Sequence, residues 1–149
     1  MRPPILDAQG LVPTLKWHAA NCEEYYGIIC SIQVLGQPIR LSPETEITIY
    51  RIVQESLNNV IAHAQAETVQ IRITFSLISL QITIHDNGIG FDDKDALATV
   101  SDQMGLIGMK ERTHSIGGQI EVRSSPGQGT QVTLNIPLLS QFEPESLVS

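Results

Sequence analysis

The sequence predicts a two-layer α/β sandwich of the α+β kind, with a mixed, mostly antiparallel five-stranded sheet covered on one face by about three helices. Three observations lead there. Five short segments alternate apolar and polar residues with the period of two that marks a half-buried strand. Three longer segments space their apolar residues by three and four, as an amphipathic helix does. Clusters rich in glycine, proline and serine separate them.

A helix near Val12–Tyr26 comes first, with Trp17, Tyr25 and Tyr26 expected to pack on the sheet, and a strand near Ile28–Val34 follows. The next helix runs from Pro43 to Ala64. Ser42 is its N-cap and Pro43 its N1 residue, and Glu44 and Glu46 lie in the first turns, where negative charge is favoured. Its apolar stripe is Ile47, Tyr50, Val53, Leu57, Val60, Ile61 and Ala64. At about 100° per residue, Glu55 and Asn59 project about 40° apart on the other side. A carboxylate beside an amide oxygen suits a magnesium ion that keeps most of its waters and is shared with phosphates. Taken alone, the pair reads more simply as a solvated helix face.

Strands follow at Val69–Ser76 and Leu80–Asp86, joined by a short hairpin. By parity Asp86 shares the inward side of Leu80, Ile82 and Ile84. A carboxylate entering an apolar layer needs a donor, since leaving it unpaired costs several kcal/mol. The amino group of adenine is one such donor. Asn87-Gly88 and Gly90 supply backbone freedom for a turn or a close ligand, although Asp, Asn and Gly also end strands without any ligand. The last strands lie at Gln119–Ser124 and Thr130–Ile136, around the turn cluster Ser124-Ser125-Pro126-Gly127-Gln128-Gly129. Thr130 shares the inward parity of Val132, Leu134 and Ile136. Asp86 and Thr130 thus make a small polar spot in an apolar wall, which fits the edge of a purine.

Between the strand pairs, Phe91–Gln103 carries Asp92, Asp93, Asp95 and Asp102 without a strong period and reads as a lid loop. Gly105-Leu106-Ile107-Gly108 then leads into a helix near Leu106–Ile116, stopped by Gly117-Gly118. Glycines at a helix start expose amide groups to an anion. A solvated loop with a glycine hinge explains the same residues equally well.

The chain's 149 residues suffice for one domain with a sizeable core. A formal charge of -7, with arginines scattered, argues against nucleic-acid binding. The sequence has no apolar run of membrane-spanning length, and its first residues do not form a signal peptide. Cys22 and Cys30 lack metal-site spacing and read as free thiols of a reducing, cytoplasmic compartment. Residues 139–149 read as a disordered tail.

The order Glu55-x-x-x-Asn59, Asp86-x-Gly88-x-Gly90, Gly105-x-x-Gly108 and Gly127-x-Gly129-Thr130 resembles the asparagine box, the two glycine boxes and the Gly-Thr motif of the GHKL superfamily. Its members include gyrase, the mismatch-repair ATPases and the histidine kinases, and its fold is the Bergerat-type ATP-binding fold. Gln54-Glu55-Ser56-Leu57-Asn58-Asn59-Val60 and Gly108-Met109-Lys110-Glu111-Arg112 are similar to the two-component sensor kinases of the nitrate-sensor and degradation-sensor type. Residues 1–11 resemble the segment that follows their dimerisation and phosphoacceptor helices, and the match runs to about Leu138.

The resemblance implies ATP and magnesium as cofactors. It implies that Asn59 ligates magnesium, that Asp86 binds the adenine amino group, and that Thr130 assists through water. Gly88 and Gly90 would shape the adenine pocket and hinge the lid. Gly105, Leu106 and Gly108 would lie along the phosphates, and His63 near them. Glu55 matches the general base of hydrolytic relatives and, in the kinases, orients the accepting imidazole. Ala62 stands where many of these kinases carry Lys or Arg, and Gln103 replaces a frequent glycine.

The family accepts phosphate on a His followed by Asp or Glu in an upstream helix, which is absent here. His18, His63, His85 and His114 all read as non-acceptors, with His18 and His114 plain surface or helix residues. The expected unit is therefore a catalytic ATP-binding domain over residues 12–138, monomeric as a fragment. Its partner would be the histidine-bearing dimerisation domain of a homodimeric parent, with a response regulator reached indirectly and no contact with nucleic acid or membrane. A serine kinase of the anti-sigma type, an ATPase, and an interaction module without turnover are the alternatives.

Overall fold

Alternation in the sequence decides which side of each strand is dry, and register then assembles those sides into one apolar layer. The structure, a computed structural model, describes residues 3–90 and 105–138. Its elements are α1 (Pro4–Gln9), α2 (Leu11–Tyr26), β1 (Ile29–Leu35), α3 (Pro43–Asn59), a π-helical turn (Val60–Ala64), β2 (Thr68–Phe75), β3 (Ser79–Asp86), α4 (Leu106–Ser115), β4 (Gln119–Ser125) and β5 (Gly129–Pro137). The five strands form one sheet in the order β1-β2-β3-β5-β4. Only β1 and β2 run parallel, because α3 makes the crossover between them. The remaining pairs are antiparallel.

Across the sheet, Ile71, Ile84, Val132 and Val122 form one row, and Ile73, Ile82, Leu134 and Ile120 the next. The inner members of both rows are buried under the helices. Burying a large aliphatic side chain of this kind contributes about 1.5–3 kcal/mol relative to leaving it exposed. The opposite face carries the rows Gln70, His85, Gln131, Arg123 and Arg72, Thr83, Thr133, Glu121. No helix of the described residues is long and apolar enough to cross a membrane.

Several expectations are revised. Residues 4–9, read as linker, form α1 and bury Leu6 in the common core. Arg40 holds that helix, donating to the carbonyls of Leu6 and Asp7 and to the carboxylate of Glu46, which is buried at 2% exposure. Glu46 is therefore more than a favourable first-turn charge. Trp17, Tyr25 and Tyr26 do not pack on the sheet and are 48%, 73% and 60% exposed. The face of α2 that meets its neighbours is built from Leu11, Thr14, Leu15, Ala19 and Cys22, smaller residues that let the helix approach closely.

The buried line of α3 also runs through Ile49, Ile52 and Ser56, beside the expected Tyr50, Val53 and Leu57, while Ile47 is only half-buried. α3 contacts α2 and α4 as well as the turn that follows it, so its dry arc is wider than a single stripe. Its α-helical part ends at Asn59, where the backbone widens into the π-helical turn. His18 is a helix residue of α2, half-buried rather than on the surface. Its ring packs edge-on against Tyr50, and burial holds its pKa below the ordinary value of 6.5.

Leu6→Ala is expected to lower stability by about 2–5 kcal/mol in denaturant titration, a loss that a mere linker residue would not produce. Because the unfolded chain binds the His18 proton more readily, the stability conferred by neutral His18 is complete above about 6.5 and is lost as pH falls through the lower folded value. His18→Phe is expected to flatten the fall in thermal stability between pH 7 and pH 5, and an unchanged pH profile would contradict this.

Candidate nucleotide site

The site begins where β3 runs out. Asp86 enters the apolar layer at 4% exposure, as parity requires, and its Oδ1 accepts the Gly88 amide at 2.8 Å. Asn87 turns the other way. Its Oδ1 accepts the amides of Glu67 and Thr68, both at 2.9 Å, and its own amide donates to Thr68. These bonds tie the end of β3 to the start of β2 and keep Asp86 from swinging outward. His85 lies exposed on the polar face. A groove of about 370 Å³ on that face, lined by residues including Gln70, Arg72, Thr83 and His85, is therefore separate from the site.

The turn between β4 and β5 closes against this strand end. Gly129 has φ 80° and packs so tightly that a Cβ there would collide with the Asp86 carbonyl oxygen. Gly90, with φ 66°, is equally restricted by the carbonyl oxygen of Ser125, and the Gly127 amide donates to Ile89 at 2.6 Å. Both positions need glycine for two reasons, a left-handed backbone and the lack of room for a side chain. Thr130, next along β5, is half-buried and bonds Ser124 Oγ at 2.9 Å, while that hydroxyl donates to the Gly129 carbonyl at 3.0 Å. His85 and Gln131 are paired on antiparallel strands; Asp86 follows His85 and Thr130 precedes Gln131, so the two stand at one strand end on the buried side.

α3 supplies the second wall. Glu55 and Asn59 are half-buried rather than bathed in solvent. A Cβ on Gly105 would sit 2.9 Å from Glu55 Oε1, so that carboxylate lies over the glycine that opens α4. Ser56 Oγ, which donates to the Ile52 carbonyl at 2.9 Å, lies 3.6 Å from Met109 Sδ of α4, a contact between the two helices. The chain passes from Asn59 through the π-helical turn to Glu67 and Thr68, the residues that hold Asn87. The end of α3 and the Asp86 end of the sheet therefore share one end of the molecule. Single π turns inside helices are frequent at functional sites.

Leu106 sends its side chain into the core at 5% exposure, so only its backbone is available to a ligand. A Cβ on Gly108 would meet nothing within 4 Å, which leaves the surface of that first turn open. Gly88 is buried beneath Asp86. Ala62 is exposed, and His63 belongs to the π-helical turn, its side chain lying outside the described residues. The proposed lid, Phe91–Gln103, and the tail, 139–149, also lie outside them.

The donor set fits magnesium held jointly with phosphates: one carboxylate, Glu55, and one amide, Asn59, too few for an all-protein cage. Among the described residues, no group of three His, Cys, Asp or Glu side chains gathers to hold a metal by itself. The sequence reading missed Asn87 and Ser124. Ser124 was within its reach, because it continues the inward parity of Ile120 and Val122. The Asn87 contacts depend on the register of β2 against β3 and had no sequence signal.

Residues 44–140 match the family described as histidine kinase-, DNA gyrase B- and HSP90-like ATPase. The chain is similar to the signal transduction histidine-protein kinase/phosphatase DegS of Brevibacillus brevis, 36% identical over 141 residues, covering 95% of this chain and 36% of the relative. It is also similar to the oxygen sensor histidine kinase NreB of Staphylococcus carnosus, 30% identical over 138 residues, covering 93% of this chain and 39% of the relative. The chain thus spans just over a third of the length of these relatives. The histidine kinase domain from the Erythrobacter litoralis EL346 blue-light activated histidine kinase shares the fold, with a TM-score of 0.74 at 24% identity over 88% of this chain and 62% of that one. The chain belongs to the histidine kinase-, DNA gyrase B- and HSP90-like ATPase family.

Proposed function

We propose that this domain binds ATP with magnesium and transfers the γ-phosphoryl group to a histidine nitrogen on a separate dimerisation domain of the same parent protein, for relay to a response regulator. The observation that carries the reading is Asp86. It is a carboxylate buried at 4% exposure whose one donor among the described residues is on Oδ1, so its Oδ2 can take the donor that an adenine amino group supplies. Thr130 assists at the same edge, and Gly88 and Gly90 shape the pocket around the base.

Asn59 holds magnesium beside the phosphates, which neutralises charge as phosphoryl transfer proceeds. The backbone at Gly105, Leu106 and Gly108 lies along the phosphates, with His63 nearby, and Glu55 orients the accepting imidazole. The last step needs the imidazole to approach Glu55 with a lone pair turned to phosphorus. Protein groups thus contribute position and charge, and the nucleophile comes from the partner. In this reading the domain is a cytoplasmic monomer within a homodimeric kinase, and residues 1–11 lead back to the dimerisation helices.

Asp86→Asn is expected to weaken ATP binding at least tenfold in calorimetry, because an amide can present its NH₂ group where an acceptor is needed. Retained affinity would sink the adenine assignment. Gly129→Ala is expected to lower both thermal stability and ATP affinity, since relieving its clash moves the Asp86 carbonyl. Mixing the domain with labelled ATP and a histidine-bearing dimerisation domain is expected to give an acid-labile, base-stable phosphoprotein. Label found instead on a serine-bearing protein would move the assignment to a serine kinase, and binding without transfer would leave a nucleotide-binding module.

A further inference from the structure

We propose that Ser124 fixes the direction of the Thr130 hydroxyl, turning the polar edge of the pocket into a surface of acceptors that favours a purine with an amino group at position 6 over one with an oxo group. The inference rests on the reading of this site as a nucleotide pocket. Ser124 acts through Thr130 and is a positioning residue.

The supply of hydroxyl protons sets this direction. Ser124 is buried at 8% exposure, and its Oγ lies 3.0 Å from the Gly129 carbonyl, which can only accept. A serine hydroxyl has one proton, and that bond uses it. The 2.9 Å contact between Ser124 Oγ and Thr130 Oγ1 must then be made by the Thr130 proton. Thr130 is left with lone pairs alone to offer the pocket. Strand register makes the arrangement rigid, because Ser124 is the cross-strand partner of Thr130 and Gly129 is held under Asp86.

Asp86 has the same polarity. Its Oδ1 takes the Gly88 amide, and Oδ2 has no donor among the described residues. Two inward groups on adjoining strand ends therefore both accept. Placed between the two acceptors, the amino group of adenine can give an N–H to each, whereas the 6-oxo purine turns the lone pairs of its oxo group on one of them and can match at most the other through its ring N1–H, and an unmatched buried acceptor is costly. Without Ser124, the Thr130 hydroxyl can rotate and donate to an oxo oxygen.

The test is calorimetry of ATP and inosine triphosphate, each with magnesium, on the unchanged chain and on Ser124→Ala, Ser124→Thr and Thr130→Val, with circular dichroism to check folding. The unchanged chain is expected to prefer ATP. Ser124→Ala should narrow the ATP-over-inosine ratio about three- to tenfold, mainly by tighter inosine triphosphate binding, and Ser124→Thr should restore it. Thr130→Val, which stays informative if Ser124→Ala does not fold, should weaken ATP and leave inosine triphosphate unchanged. ATP binding with an unaltered ratio in Ser124→Ala, or weaker inosine triphosphate binding in Thr130→Val, would overturn the role of Ser124 alone. Failure of the unchanged chain to bind either triphosphate would overturn the nucleotide reading, and this inference with it.

Discussion

At Gly129 the backbone of β5 passes beneath the carbonyl of Asp86 with no space for a side-chain atom between them. That contact sets where β3 ends, how far Asp86 is pushed into the apolar layer, and where Thr130 begins its inward row. Gly90 repeats it one turn later against Ser125, so the segment after β3 and the turn before β5 are fastened twice. A polar spot inside an apolar wall is useful only when its atoms stay fixed, since a carboxylate free to swing would seek water.

The second wall depends on the first through the chain itself. α3 must cross from the edge strand to reach β2, and the first residues of β2 are those that bind Asn87. The widened turn after Asn59 absorbs the change of direction. Glu55, packed over Gly105, extends the arrangement to the start of α4, so residues far apart in sequence meet around one end of the sheet.

Much of this was legible in the sequence because its signals were local. Parity along β3 and β5 placed Asp86 and Thr130 on the buried side, and capping chemistry placed the start of α3, where Ser42 Oγ accepts the Thr45 amide. Strand boundaries differ from expectation by a residue. Less legible were features that depend on what an element packs against. The large aromatics of α2 suggested a buried face, yet the smaller residues of that helix are the ones that approach the sheet and α3. Leu6 looked like linker because a six-residue helix is too short to show a period, and Arg40, which helps hold it in place, lies thirty-four positions later.

The sequence by itself determined the fold class, the inward polarity of Asp86 and Thr130, and the motif order that carries the family resemblance. All of these follow from periodicity and residue type along a continuous stretch. Tertiary structure decided that Glu55 meets Gly105, that Asn87 clamps β2 to β3, and that Ser124 stands behind Thr130. Such contacts join residues across strand register and helix packing. Their energies depend on distances of a few tenths of an ångström, which no linear pattern encodes.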